Sequence, residues 1–406
     1  MRSQKKRRQK LKLGKVFSPL LKSRKVLFAI NAALLLGLAN GANAAPADTS
    51  RPFNDYTWLT THNSFSNRED NPYLHNSFSA VENQHLSVVQ QLQDGVRGLM
   101  FDTYWDNTNG GADDVFLCHG GDCYERGFLK TLLAYLSEIK NFLDSNRNEV
   151  ITIMFEDYVE NQEIKKRFEQ AGLQGYIFNP TNPTNSTPAV PISNTKSWPS
   201  LANMIATNKR IVIIMNKAAS VNKPFGIVPE GEWTIQSLYS SDSLDYAKRY
   251  EACVGDLNTP DKYKLFTMNH FPTFGNSNYN NYPELSLFTH ARANFAERFP
   301  NYIAFDYYDH VGGRPRNVAI EFVTDLETMK RFGIGFVMTY NGHTETPNGY
   351  YRNPMDLNKD ANGEYIYLVT KGSPEQAPLT VIEGQNTSCP QSHPHKLDAD
   401  LNKGAR

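Results

Sequence analysis

The polarity pattern of the chain is dominated by short, nearly continuous apolar runs, each of which ends in a polar or ionisable residue. Eight such runs stand out: YTWLTTHN, VRGLMFD, DVFLCHG, EVITIMFED, RIVIIMNK, KLFTMNHF, NYIAFDYY and GIGFVMTYNG. Each reads as a strand of about five residues rich in Val, Ile, Phe and Thr, and the weak alternation is what a sheet buried on both faces requires. Between the runs the spacing turns helical, most clearly from Phe128 to Leu143, where Phe128, Leu129, Leu132, Leu136, Ile139 and Leu143 share one face. Lys130, Glu138, Lys140 and Asp144 fall on the opposite face. Further helices are expected from Leu86 to Leu92, Ile164 to Ala171, Leu287 to Phe299 and Val318 to Arg331. Strands alternating with helices predict parallel pairing, and eight of them predict an α/β fold closed as a (β/α)8 TIM-type barrel. The barrel is expected to be irregular where Asn107 to Asp114 leaves too little chain for a crossover helix. The long connection from Ala218 to Tyr263 reads as loops over the barrel mouth, with Phe225, Ile227 and Trp233 as candidates for contact with a membrane surface.

Charge changes the picture at the N-terminus. The first 25 residues carry eleven Lys or Arg and no acid, and they run into VLFAINAALLLGLANGANA. A basic segment followed by a short apolar one and a small-residue Ala42-Asn43-Ala44 site reads as a secretory leader. The expected organisation is therefore a leader over 1–45, a barrel over 46–345 and a polar extension over 346–406. Removing the leader takes eleven of the 42 cations with it, leaving 31 against 42 anions, a net charge of −11. An acidic chain argues against nucleic acid, whose phosphates need a basic surface, and against nonspecific adhesion to anionic lipid. Contact with a membrane surface is then expected to be transient, and the chain to be a monomer, secreted or periplasmic. Disulfides persist in such compartments. Cys118 and Cys123 are near enough to close a small loop, which would leave Cys253 and Cys389 to each other, although four cysteines allow three connectivities.

In a (β/α)8 barrel the chemistry collects at the carboxyl ends of the strands. Here those ends read His62-Asn63, Asp102, His119, Glu156-Asp157, Asn216-Lys217, Asn269-His270, Asp306 and Asn341. Two imidazoles near one mouth suit paired proton transfer, one accepting while the other donates at neutral pH. Neighbouring carboxylates orient such rings or bind a cation, and phosphodiester cleavage uses this combination. Asp306 is a candidate to orient His62 or hold a substrate hydroxyl, Lys217 to meet a phosphate, and Asn269 to bind substrate. No nucleophile elbow, P-loop or dinucleotide fingerprint occurs.

In order, THNSF, VVQQLQDGVRGLMFDTYW, FLCHGGDCY and NEVITIMFEDYV resemble the X domain of phosphatidylinositol-specific phospholipase C, in its secreted plant, fungal and bacterial subgroup. The resemblance spans about residues 55 to 160 and continues more loosely to about 342, through NHFPT and PNYIAFDYY. It implies a phosphoric diester hydrolase or lyase acting on a phosphoinositide or related phospholipid. His62 would contact the attacking hydroxyl and the phosphate, His119 would be the general acid for the leaving group, and Asp102 would be a third catalytic residue. It also implies a calcium site at Asn63, Asp102 and Glu156, whose fourth carboxylate position is filled by Met100. The bacterial calcium-independent members carry an Arg where this chain has Tyr104. Calcium is thus an open expectation. Two rival functions stand beside this one: a phospholipase D-like enzyme, and a noncatalytic barrel that binds lipid or glycan.

Overall fold

The computed structural model describes residues 48–74, 82–106, 113–216, 223, 225–237, 253–254, 263–271, 299–309, 319, 323, 334–339, 350–356 and 365–371. The leader, Lys217, Asn341, Cys389 and most of the two C-terminal helices lie outside these residues. Six of the eight continuous apolar runs form a parallel sheet as expected. Its strands are β1 (Trp58–Thr61), β2 (Gly98–Asp106), β4 (Ile151–Asp157), β5 (Ile211–Met215), β6 (Ile227–Pro229), β7 (Thr234–Ser237), β9 (Leu265–His270) and β10 (Tyr302–Phe305). The order β6-β5-β4-β2-β1-β10-β9-β7 follows the chain around a circle, with no pairing recorded between β6 and β7. The (β/α)8 class holds, as a half-barrel of eight parallel strands.

Two of the eight expected strands are not in this barrel. DVFL forms β3 (Asp114–Leu117), which folds back antiparallel on β2, with Thr103 opposite Leu117. Only a short connection separates it from β2, and a parallel crossover needs a dozen or more residues. GIGFVMT supplies β11 (Ile334–Thr339), which pairs antiparallel with β13 (Tyr365–Lys371), itself paired to β12 (Tyr350–Asp356), in a separate sheet. The missing barrel positions are filled from the connection read as mouth loops. β6 and β7 lie within it, joined by a single helical turn Glu230–Trp233, and β8 (Cys253–Val254) pairs with β7. These strands are three and four residues long and carry Pro229, so their apolar signal is weak. Ile227 and Trp233 are buried, so neither is free to enter a membrane from this state, and half-buried Phe225 packs against the core.

The sheet separates two apolar layers. Leu59, Leu99, Phe101, Ile153, Phe155, Ile213, Met268 and Ile303 belong to the layer under the helices. Trp58, Met154, Val212, Ile214, Val228, Leu265 and Tyr302 fill the barrel interior with Met100 at their margin. Side chains alternate across a strand, so parity fixes which residues look inward. Interior bonds cross the barrel, Thr152 Oγ1 to the Tyr302 hydroxyl at 2.8 Å being one. Gly98 is required at this layer: a Cβ there would lie 2.2 Å from Thr60 Oγ1.

The outer layer is closed by helices such as Leu132–Ser145, which buries Leu132, Tyr135, Leu136, Ile139, Phe142 and Leu143. It begins later than its polarity suggests because Thr131 caps it, its hydroxyl accepting from the Ala134 amide. Phe128 is buried ahead of the cap, while Leu129 is exposed. At the opposite end of the barrel from the strand carboxyl termini, buried Arg97 donates to Glu149 at 2.7 Å and to the carbonyls of Leu92 and Val96. Its role is structural.

Candidate active site

Inward parity carries a column of polar groups to the carboxyl end of the barrel. Past Trp58 and Thr60 comes His62, past Met100 comes Asp102, past Thr152 and Met154 comes Glu156, and past Tyr302 and Ala304 comes Asp306. Parity also settles the choice between Glu156 and Asp157: Glu156 faces in, while Asp157 is buried and accepts from Asn161. His270 faces the outer layer, its ring set edge-on to Phe305. Asn269 faces in but is buried, with its amide nitrogen committed to Gln236 at 3.1 Å.

Each histidine is paired with a carboxylate. His62 Nδ1 lies 2.8 Å from Asp306 Oδ1, and His119 Nδ1 lies 3.1 Å from Asp102 Oδ2. A carboxylate only accepts, so each ring carries its proton on Nδ1 toward the acid and presents Nε2 elsewhere. The His62 ring is flattened against Phe271, with centroids 3.6 Å apart and planes 2° from parallel. The His62 side chain is 20% exposed and that of His119 53%, whereas both acids are 7% exposed. The rings open to solvent while their partners are shielded.

His119 owes its position to the loop after β3. A Cys118–Cys123 disulfide closes that loop, and Gly120, Gly121 and Asp122 all have positive φ within it. Glycine pays no Cβ penalty there. Cys118 N donates to Asp102 O at 3.2 Å, and Arg126 Nη1 donates to His119 O at 2.7 Å across Gly120. Arg126 was not evident from the sequence, where it sits among loop residues with no strand end to mark it.

The electrostatics tie these groups into one site. The hydrogen bond that His119 donates to Asp102 raises the His119 pKa above the usual imidazole value against the opposing effect of burial, and the Arg126 charge also lowers it. Burial pushes the Asp102 carboxyl up, the His119 hydrogen bond pulls it down, and the charges of Glu156 and His62 also reach it. Asp102 therefore feels both imidazoles. Glu156 accepts from the Tyr158 hydroxyl at 2.7 Å, and Tyr158 stacks on Tyr104 with centroids 4.5 Å apart. Burial, then the bond to Glu156, raise the Tyr158 pKa, which keeps this hydroxyl a donor. Glu230, one residue past β6, is pushed up by burial and by Glu156 and Asp157. Its strand signal was too short to flag it.

The donor set does not fit a resident calcium ion, which takes about six to eight oxygens. Met100 offers a thioether that packs toward the barrel interior, and Asp102 and Glu156 already hold His119 and Tyr158. Among the described residues no three His, Cys, Asp or Glu side chains converge as a metal-holding group. Asn63 has a conformational reason to be an amide, since its φ of 42° is a left-handed value that Asn tolerates.

The family model PI-PLC X 1 matches residues 49–277. A PI-PLC X domain-containing protein of Arabidopsis thaliana is 30% identical over 274 residues, covering 63% of this chain and 59% of that protein. An uncharacterized secreted protein of Arthroderma benhamiae is 25% identical over 225 residues, covering 54% of this chain and 45% of the other. The chain thus spans about half to three fifths of the length of these relatives. Among solved structures, phosphatidylinositol-specific phospholipase C of Staphylococcus aureus is 15% identical, covering 69% of this chain and 95% of that one at a TM-score of 0.47. The enzyme of Listeria monocytogenes is 16% identical, covering 70% and 97% at 0.44.

Proposed function

The chain belongs to the PI-PLC X family, and on that premise we propose that it cleaves a phosphodiester, such as a phosphoinositide or related phospholipid, by paired histidine acid–base catalysis. The observation that carries this reading is the pair of His–Asp contacts, 2.8 and 3.1 Å long, whose rings both act on Asp102. His62, with Nδ1 held by Asp306, uses Nε2 to take the proton of the attacking hydroxyl. His119, whose protonated form is favoured by the hydrogen bond to Asp102, donates from Nε2 to the leaving oxygen as its bond to phosphorus breaks and the attacking oxygen's bond to phosphorus forms. Charge on the phosphoryl oxygens is offset by the protonated His119, with the Arg126 guanidinium and Lys217 as further cationic partners. Asp306 acts through His62 rather than on substrate, and Glu156 with Tyr158 faces the same mouth. Calcium enters no step.

The test is turnover by the purified chain on a panel of phosphodiesters, with and without EDTA. We expect release of the phosphorylated head group, unaffected by EDTA, and a loss of about 10²–10⁴-fold in kcat for His119→Ala. Release of the free head-group alcohol would favour D-type cleavage, and no turnover on any diester would leave a binding protein. Among the described residues no helix is long and apolar enough to cross a membrane. Secretion and a transient approach to lipid are part of the same proposal, supported by the secreted relative and the disulfide.

A further inference from the structure

The dyad of His62 and Asp306 sits at the ends of β1 and β10, and a third segment, Glu82 to His85, lies against both. Asn83 in that segment is 7% exposed and makes four hydrogen bonds. Its amide nitrogen donates to Ser66 O at 2.9 Å, and its carbonyl accepts from Tyr307 N at 2.8 Å. Its side-chain Nδ2 donates to Asp306 Oδ1 at 3.1 Å, and its Oδ1 accepts from Asn63 Nδ2 at 3.2 Å. Next to it, buried Gln84 donates to His62 O at 2.7 Å and Phe305 O at 2.9 Å.

These directions are not interchangeable. Asp306 can only accept, so Asn83 must turn its NH2 toward it, which leaves Oδ1 for the Asn63 amide nitrogen. His62 Nδ1 and Asn83 Nδ2 then share the same carboxylate oxygen. Tyr307, immediately after Asp306, has a φ of 47°, a strained value for a bulky residue, and its backbone is held there by the Asn83 carbonyl. Asn83 therefore fixes both the backbone that carries Asp306 and the rotation of its carboxylate.

We propose that Asn83 is a positioning residue for the reaction, setting the Asp306 carboxylate so that His62 keeps its proton on Nδ1 and offers Nε2 to the substrate hydroxyl. The inference rests on the catalytic reading of His62 given above. The charged groups that face the ring are Asp306 and Asp102. Asn83→Asp keeps the size and the acceptor for Asn63 but replaces the donor toward Asp306 with a second negative charge. Asn83→Ala removes both bonds.

The experiment measures kcat, KM and the pH profile of kcat/KM on a soluble aryl phosphodiester that the wild type cleaves, for N83A, N83D and H62A. We expect kcat in N83A to fall about tenfold with KM within about twofold. In N83D the acidic limb should move up by about one pH unit, because a second carboxylate holds a proton on the ring. A merely structural role would lower stability without moving that limb. Near-wild-type rates in H62A remove the catalytic reading itself, and an inactive H62A with an N83D profile that superimposes on the wild type overturns only the role of Asn83. Long-range 1H–15N spectra of the His62 ring test the same claim without turnover and in N83D, the near-isosteric variant. The wild type should show the Nδ1–H tautomer at high pH and N83D a shifted ratio; an unchanged ratio overturns the inference.

Discussion

At the scale of single residues, each histidine of the site is tied through Nδ1 to its own carboxylate. The hydrogen bond to Asp102 raises the His119 pKa, which favours the protonated form that the proposed general acid needs. Asp102→Asn removes that pull, so the alkaline limb of kcat/KM should move to lower pH and kcat should fall about 10²–10⁴-fold. A rate loss with the limb unmoved would mean that Asp102 acts otherwise. His85 gives a parallel case for stability. Its pKa is raised by the hydrogen bond to Asp309, 3.0 Å away, against burial. A raised value means that folding takes up a proton, so the stabilisation is full below about pH 6.5 and is lost as pH climbs through the higher folded value. The Tm difference between wild type and His85→Gln should be largest near pH 5.5 and shrink by pH 8.5. A difference that does not change across that range would place the effect in packing.

At the scale of elements, the loop that carries His119 is short and covalently closed. Closing a loop of six residues stabilises by about 2 kcal/mol through the unfolded chain. Ser at both Cys118 and Cys123 should therefore lower Tm by several degrees, and it should lower kcat further than Tm alone explains, since His119 follows Cys118 directly. Equal activity in the double variant would separate the loop from catalysis. Gly98→Ala tests the barrel interior. The added methyl meets Thr60 Oγ1 at 2.2 Å, an overpacking that costs about 1–3 kcal/mol, whereas at Gly175 a Cβ meets nothing within 4 Å. Thermal melts should show a clear loss for the first and little for the second.

The elements also show what could be read beforehand. Six barrel strands were legible because a parallel strand buried on both faces leaves a continuous apolar run, and His62, Asp102, Glu156 and Asp306 were legible because each ends one. β6 and β7 were not, being only three and four residues long and interrupted by a proline and a helical turn. Glu230 was lost with them. The runs of β3 and β11 misled for the opposite reason: an antiparallel strand can carry the same continuous apolar run as a parallel one. Asn83, Phe271 and Arg126 act by direction of hydrogen bonding or by ring stacking, which spacing along a chain does not encode.

At the scale of the molecule, the half-barrel brings its chemistry to one end and its structural ion pair, Arg97 with Glu149, to the other. Of Phe225, Ile227 and Trp233, the last two are buried, which is inconsistent with membrane contact through them, while half-buried Phe225 packs against the core. Removing the buried apolar side chains costs about 1.5–3 kcal/mol each. Replacing the three with Ser should therefore lower yield and Tm, and a folded variant that loses only vesicle binding would contradict the structure. The central claim is that both imidazoles serve one reacting phosphorus. The most direct test is kcat for His62→Ala, His119→Ala and the double variant on the same phosphodiester. Residues acting as a unit are strongly non-additive, so the double variant should be within about threefold of the slower single one. Losses that multiply, or single variants that retain the wild-type rate, would contradict it.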